Sequence, residues 1–325
     1  MVNELDTLME RWENALNSYG TPGNFADSVS ISLCSNPANP NDIPLRVLIS
    51  PGFLARKKFM EIQKAEAEKR KIHNSPKRWA NDGASCFLCD NVGQAKDIGN
   101  NILLPWESFS NYALLPNRYP LMRGHFLFCA KNHDLTDKLP DLKYDYISTA
   151  IELSQKYDLL FLRNHPGAGM NIPHHEHAHF HPAHLKDNLG LLLSLNGLSS
   201  SDLVSSSFGP PFYSLKRTRF GTIALKGRKA IECTINLADK LNKKSIIFTF
   251  AYDPDKTSSS SEHGIFFLTP HKKNGLNTGV ASKDALYFCI AKSEQEISGY
   301  KDFIKPSMEH IYEREKFDWK QFIEE

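Results

Sequence analysis

Five of the thirteen histidines in this 325-residue chain fall in one short stretch, PGAGMNIPHHEHAHFHP, residues 166–182. They are His174, His175, His177, His179 and His181, four of them on alternate positions. A strand repeats every two residues, so an extended segment would project His175, His177, His179 and His181 from one face. A row of imidazoles is costly to bury and has little use on a plain surface. It points to a metal, a phosphoryl group, or both, against the bland alternative of a solvated strand. Phosphoryl chemistry by imidazole proceeds through a transient nucleotidyl-histidine. It needs a neutral ring nitrogen as nucleophile, an acceptor holding the other nitrogen, and donors for the phosphate oxygens. The segment NHPGAG just upstream offers such donors. Gly167 and Gly169 let backbone amides approach a phosphate closely, and Asn164 adds a neutral polar group.

A second constellation is CFLC, with Cys86 and Cys89 in C-x-x-C spacing. Such a pair is a redox dithiol or half of a zinc site. Nothing around it resembles the helix opening of a redox pair. Zinc needs two further nitrogen or sulfur ligands, and His133 and the histidine row are the suppliers at hand.

The elements that must carry these residues follow from periodicity and turn signals. Residues 3–17 and 141–157 have helical spacing, the latter through Leu142, Tyr146, Ala150, Leu153 and Tyr157. IPLRVLIS predicts a strand, and the charged segment 55–73 a solvated helix. The stretch 111–133 predicts strand, turn, strand, and DLLFLRN a strand leading into the glycine loop. The serine-rich segment 198–211 is a linker candidate. Beyond it, TRFGTIALKG predicts a strand, KAIECTINLADKLN a helix, and SIIFTFAYDP and GIFFLTPHKKN two more strands. Strand, helix, strand thus recurs, as a diverged duplication would give.

Composition bounds the partners. The chain is 41% apolar and 23% charged with a net charge of +2, which points to neither nucleic acid nor an anionic membrane as partner. No apolar run approaches the roughly 18 residues that a membrane span needs. The acidic, amphipathic N-terminus does not resemble a secretory signal. Of the six cysteines (34, 86, 89, 129, 233 and 289) only one pair is close in sequence, so a reducing compartment, the cytoplasm, is expected.

Two blocks then resemble the histidine-triad/galactose-1-phosphate uridylyltransferase superfamily. ALLPNRYPLMRGHFLFCAKNH (113–133) is similar to its Asn-x-aromatic-Pro…Gly-His-hydrophobic…His block, and NHPGAGMNIPHHEHAH (164–179) to its Asn…Gly…His-x-His-x-His/Gln block. CFLC falls where zinc-bearing members place metal cysteines. PLRVLISPGFLARKKF followed by CFLCDN is similar to a branch akin to the dinucleoside-tetraphosphate and GDP-hexose phosphorylases. The resemblance covers residues 44–182 well and the C-terminal half loosely, through FTFAYDP…IFFLTPHKKN.

The resemblance implies an α+β fold: an antiparallel-rich sheet carrying the triad strand, with packed helices. It also implies two histidine-triad-like units in one chain, a zinc-containing catalytic unit over residues 1–205 and a degenerate second over 206–325. It places the loop asparagine eleven residues before the first triad histidine, and eleven residues from Asn164 stands His175. The triad is then His175, His177 and His179. The other register, His177, His179 and His181, has apolar spacers but lengthens the phosphate loop by two residues. In the first register His177 is the nucleophile and His179 contacts phosphate, where transferases carry Gln and hydrolases His. His175 joins Cys86, Cys89 and His133 around a structural zinc. Asn117 lies near the nucleoside, with Asn164, Gly167 and Gly169 around the phosphates. Arg118, Lys272 and Lys273 are either phosphate ligands or solvated, and His125 is expected to pack at the sheet edge.

The activity implied is nucleotidyl transfer to an acceptor, or phosphorolysis, of a nucleotide sugar or dinucleoside polyphosphate, through a covalent nucleotidyl-histidine. A triad hydrolase using water as acceptor is the alternative, and from another class a nucleotide-binding module without catalysis. A nucleotide is the expected partner. Sheets of this kind often pair across a dimer, so a homodimer is an expectation too.

Overall fold

The computed structural model describes residues 4–18, 29–33, 45–49, 111–117, 120, 122–130, 143–164, 175–183, 203–215, 222–254, 264–271, 288–291 and 317–324. These form helix α1 (Glu4–Ser18), strands β1 (Val29–Leu33) and β2 (Leu45–Ile49), the pair β3 (Tyr112–Pro116) and β4 (Phe126–Ala130), helix α2 (Tyr144–Tyr157), β5 (Leu159–Asn164) and β6 (His177–Pro182). There follow β7 (Leu203–Ser205), β8 (Phe212–Leu215), β9 (Ile223–Lys226), α3 (Ala230–Lys243), β10 (Ile247–Asp253), β11 (Ile265–His271), β12 (Phe288–Ala291) and a short α4 (Lys320–Ile323). The fold is a mixed helix and antiparallel-sheet structure, the α+β class expected. Among the described residues no helix is long and apolar enough to cross a membrane.

The chain divides into two compact units. The first comprises residues 1–29, 50–140 and 174–179, the second residues 30–49, 141–173 and 180–325. In the first, β3 and β4 form an antiparallel hairpin and the start of β6 lies beside β4. The pairing of Tyr112 with Ala130 and Pro116 with Phe126 puts Tyr112, Leu114, Pro116, Phe126 and Phe128 on one face. Helix α1 packs by its apolar stripe, with Leu5, Leu8, Trp12, Ala15 and Leu16 all buried.

In the second unit the strand order is β6-β5-β10-β11-β9-β8-β7. In this sheet β5 with β10, β10 with β11, β11 with β9, β9 with β8 and β8 with β7 pair antiparallel, while β2 and β12 pair in parallel in a smaller sheet. A hydrophobic run along each strand and an amphipathic helix on one face account for this layer. Phe161 is its centre: its ring packs on Tyr146 of α2 at 6.1 Å, Phe180 of β6 at 5.2 Å and Phe250 of β10 at 5.6 Å. The Tyr252 hydroxyl accepts from Gln155 of α2 at 3.0 Å and from the Gly264 amide at 3.1 Å. A Cβ on Gly264 would stand 2.0 Å from the Asp253 carbonyl oxygen, so only glycine fits where the chain enters β11. Asp158, left-handed at φ 54°, turns α2 directly into β5, and its carbonyl accepts the Ala183 amide at 2.7 Å. That bond ties the end of the histidine strand to the start of its neighbour.

Three details differ from expectation or extend it. The segment 198–211, expected as a linker, contains β7, which pairs with β8 along the sheet edge. The histidine strand begins at His177, so three of the alternating histidines lie in it and His175 sits at the bend before it. A separate three-stranded sheet, β1-β2-β12, joins the predicted strand at 45–49 to two segments not anticipated as strands. The expected helix at 55–73 lies outside the described residues.

The aromatic layer supports a stability prediction. Phe161→Ala removes a fully buried ring at the centre of this layer and should cost about 3–5 kcal/mol. Val204→Ser, at an exposed position of β7, should change stability by no more than about 0.5 kcal/mol. Urea denaturation of the two variants checks the contrast, and equal midpoints would refute it.

Candidate active site

Alternation along β6 divides its side chains by chemistry. Phe180 turns to the helix-covered face with Phe161, and Ala178 shares its parity, so His177, His179 and His181 point to the opposite face. His175, His177 and His181 are buried and His179 is half-buried. Buried imidazoles require partners for their nitrogens, and the backbone supplies two of them.

His177 Nδ1 stands 2.8 Å from the His175 carbonyl oxygen. A carbonyl only accepts, so Nδ1 carries the proton and Nε2 the lone pair. His175 Nε2 stands 2.8 Å from the Ala130 carbonyl oxygen, which fixes its proton on Nε2 and its lone pair on Nδ1. The Ala130 amide donates to the Glu176 carbonyl at 3.0 Å, fastening the end of β4 to the entry of β6. His175 and His177 therefore differ in which nitrogen presents a lone pair.

His179 lies beside His125. Their Nδ1 and Nε2 atoms are 2.9 Å apart and their ring centroids 5.1 Å apart, tilted by 47°. The His177 and His179 rings are edge to face at 5.8 Å. His125, expected to pack at a sheet edge, is fully buried and contacts His179. Its backbone is held three times. The carbonyl accepts from the Asn117 amide at 3.0 Å and the Trp12 indole at 3.0 Å, and the amide donates to the Met122 carbonyl at 3.3 Å. Asn117 Nδ2 lies 3.3 Å from His125 Nδ1 and 3.2 Å from Nε2. Trp12 also packs edge-on against Phe126, and Arg123 Nε donates to Glu13 of α1 at 2.8 Å. The Gly-His pair in the first block marked His125 as part of a motif, but its ring's neighbour lies 54 residues away in sequence.

The other site candidates are distributed as follows. Asn164 ends β5 opposite Thr249 of β10. Gly167, Gly169, Cys86, Cys89, His133, Arg118, Lys272 and Lys273 lie outside the described residues. Among the described residues there is no group of three or more side chains able to hold a metal. Two described cysteines are thiols, Cys129 buried and Cys233 half-buried. Burial, reinforced by Glu232 and opposed by Lys229, pushes the Cys233 thiol up.

With this geometry in place the comparisons are informative. No family model and no curated protein sequence matches the chain. Among solved structures the chain is similar to yeast Ap4A phosphorylase Apa2 in complex with AMP, at TM-score 0.56 and 11% identity over 97% of this chain and 98% of that one. The same enzyme in complex with Ap4A aligns at TM-score 0.57 and 12% identity over the same shares. A uridylyltransferase structure aligns over 61% of this chain and 85% of its own at TM-score 0.31 and 14% identity, too low to weigh. The likeness is one of fold. That fold is shared with the Ap4A phosphorylase over nearly the whole of both chains.

The His175 bond carries a prediction of its own. His175→Ala leaves the carbonyl of half-buried Ala130, at the end of β4, without its imidazole donor and should cost about 0.5–1.5 kcal/mol. The measurement is the urea midpoint after metal has been removed by chelator from both proteins. An unchanged midpoint would show that the Ala130 contact does not hold the strands.

Proposed function

We propose that the protein is a nucleotidyltransferase or phosphorylase acting on a dinucleoside polyphosphate or nucleotide sugar through nucleotidyl-His177. The observation that carries this reading is the hydrogen bond from His177 Nδ1 to the His175 carbonyl, because it presents Nε2 as a nucleophile of defined direction. The same bond favours the register His175, His177, His179. The shared fold with an Ap4A phosphorylase solved with AMP and with Ap4A supports a nucleotide as substrate.

In the first displacement, His177 Nε2 attacks a phosphorus of the substrate in line with the departing oxygen. The N–P bond forms, the P–O bond breaks, and the leaving phosphate takes the electron pair. His179, with the backbone amides around Gly167 and Gly169 and the amide of Asn164, stabilises the charge on the non-bridging oxygens. In the second displacement an oxygen of inorganic phosphate or another acceptor attacks from the vacated side, and the N–P bond breaks. Asn117 contributes to the nucleoside end. The hydrolase reading uses the same first step with water in the second. A histidine at the third triad position favours it, and the two-unit length of the chain favours transfer.

A structural zinc fits the donor set. Metal-bound histidines commonly donate their second ring N–H to a backbone carbonyl, which is the arrangement His175 has with Ala130. Its Nδ1, with Cys86, Cys89 and His133, would complete a closed four-ligand site that stabilises the fold. Elemental analysis should find one zinc per chain in protein purified without chelator, and a Cys86–Cys89 disulfide in its place would refute the site.

Strand order supports a duplicated architecture. β3, β4, α2, β5 and β6 are followed by β8, β9, α3, β10 and β11, with β4-β6-β5 answered by β11 and β9 beyond β10 in mirrored order. In the second set the strand matching β6 carries Ile265, Phe266, Phe267 and Leu268, so it has no imidazole pair. One active site per chain follows.

Two substitutions test the reaction. His177→Gly should abolish turnover and the trapped nucleotidyl adduct seen by intact mass, while folding and zinc content persist. His179→Gln should slow turnover but leave transfer measurable. Release of nucleoside diphosphate from Ap4A only with added phosphate marks a phosphorylase. Phosphate-independent release of monophosphate marks a hydrolase, and binding without turnover a non-catalytic module.

A further inference from the structure

We infer that His125 is a positioning residue for His179, acting as the hydrogen-bond donor that fixes His179 with its proton on Nε2. The inference deepens the reading above and rests on it for the identity of the phosphate-facing group.

A neutral imidazole has one N–H and one lone pair. His179 Nδ1 and His125 Nε2 are 2.9 Å apart, so one ring donates and the other accepts. If His179 donated from Nδ1, its Nε2 would present a lone pair, which repels a phosphate oxygen. If His125 donates from Nε2, His179 keeps its proton on Nε2 and offers the phosphate an N–H, as a glutamine amide would. The second arrangement leaves the lone pair of His125 on Nδ1; the Asn117 amide nitrogen lies 3.3 Å from Nδ1 and 3.2 Å from Nε2, over both ring nitrogens. Donation then runs in one direction, from His125 to His179 to substrate.

The orientation of His125 is set from outside the triad strand. Its carbonyl is clamped by the Asn117 amide and the Trp12 indole, and Trp12 is anchored against Phe126. Trp12 is buried in α1, whose Glu13 is paired with Arg123 in the same turn. The N-terminal helix thereby holds the turn that aims the imidazole. All these groups lie within the first compact unit.

The decisive measurement is the tautomer of each ring, read from 15N chemical shifts of histidine-labelled protein with assignments by single substitution. The expected result is a proton on Nε2 in both His125 and His179. A proton on His179 Nδ1 overturns the inference, and so does one on His125 Nδ1. This readout needs no turnover. Correct tautomers in a protein that transfers no nucleotide would sink the reaction and leave the positioning role intact.

Kinetics supply the second arm. His125→Phe fills the space without a donor and should lower kcat by about tenfold to a hundredfold with KM little changed. The adduct should still form at His177. His125→Gln, which retains a donor, should recover most of the loss. Trp12→Phe keeps the ring but removes the clamp on the His125 carbonyl, and should lower kcat in the same direction by less. Equal losses in the Phe and Gln variants at His125, or an unaltered kcat in His125→Phe, would show that the imidazole only packs.

Discussion

His175, His177 and His179 meet partners at defined ring nitrogens, and the candidate site is organised around those contacts. A buried polar group without a partner costs more than a made hydrogen bond returns. The partners here are backbone carbonyls for His175 and His177 and a second imidazole for His179. The two carbonyls also settle which nitrogen of His175 and of His177 bears the proton. Satisfying burial and defining chemical roles are therefore one physical act: His175 turns a lone pair out from Nδ1, His177 from Nε2.

Those partners exist only because neighbouring elements meet the strand at defined points. The Ala130 carbonyl reaches His175 because β4 ends where β6 begins, with the Ala130 amide bonded back to Glu176. On the other face, Phe180, Phe161 and Phe250 lock β6, β5 and β10 beneath α2. A strand with one aromatic face and one imidazole face has a single workable register, because a slip by one residue would bury histidines under α2 and expose Phe180.

In β11 apolar side chains build the sheet, as in Phe250 on Phe266 and Tyr252 on Phe266. The antiparallel seam of β5 and β10 pairs Phe161–Asn164 with Tyr252–Thr249. Asn164 at the end of β5 sits on this seam, opposite Thr249.

By itself the sequence determined the element types, the class of fold and the strand that carries the site. Local periodicity suffices for these: helical spacing in 141–157, apolar runs flanking a Gly/Pro turn in 111–133, and alternating histidines in 175–181. It could not see β7 inside a serine-rich segment, because that strand exists only through its pairing with β8. It left two triad registers open, because spacing does not say which carbonyl a ring nitrogen meets. It also assigned His125 to packing, when three backbone bonds, one from a tryptophan 113 residues away, hold it beside His179. Proton positions on imidazoles are set by which backbone carbonyl each ring meets, two residues away for His177 and 45 for His175, so only the folded structure decided them.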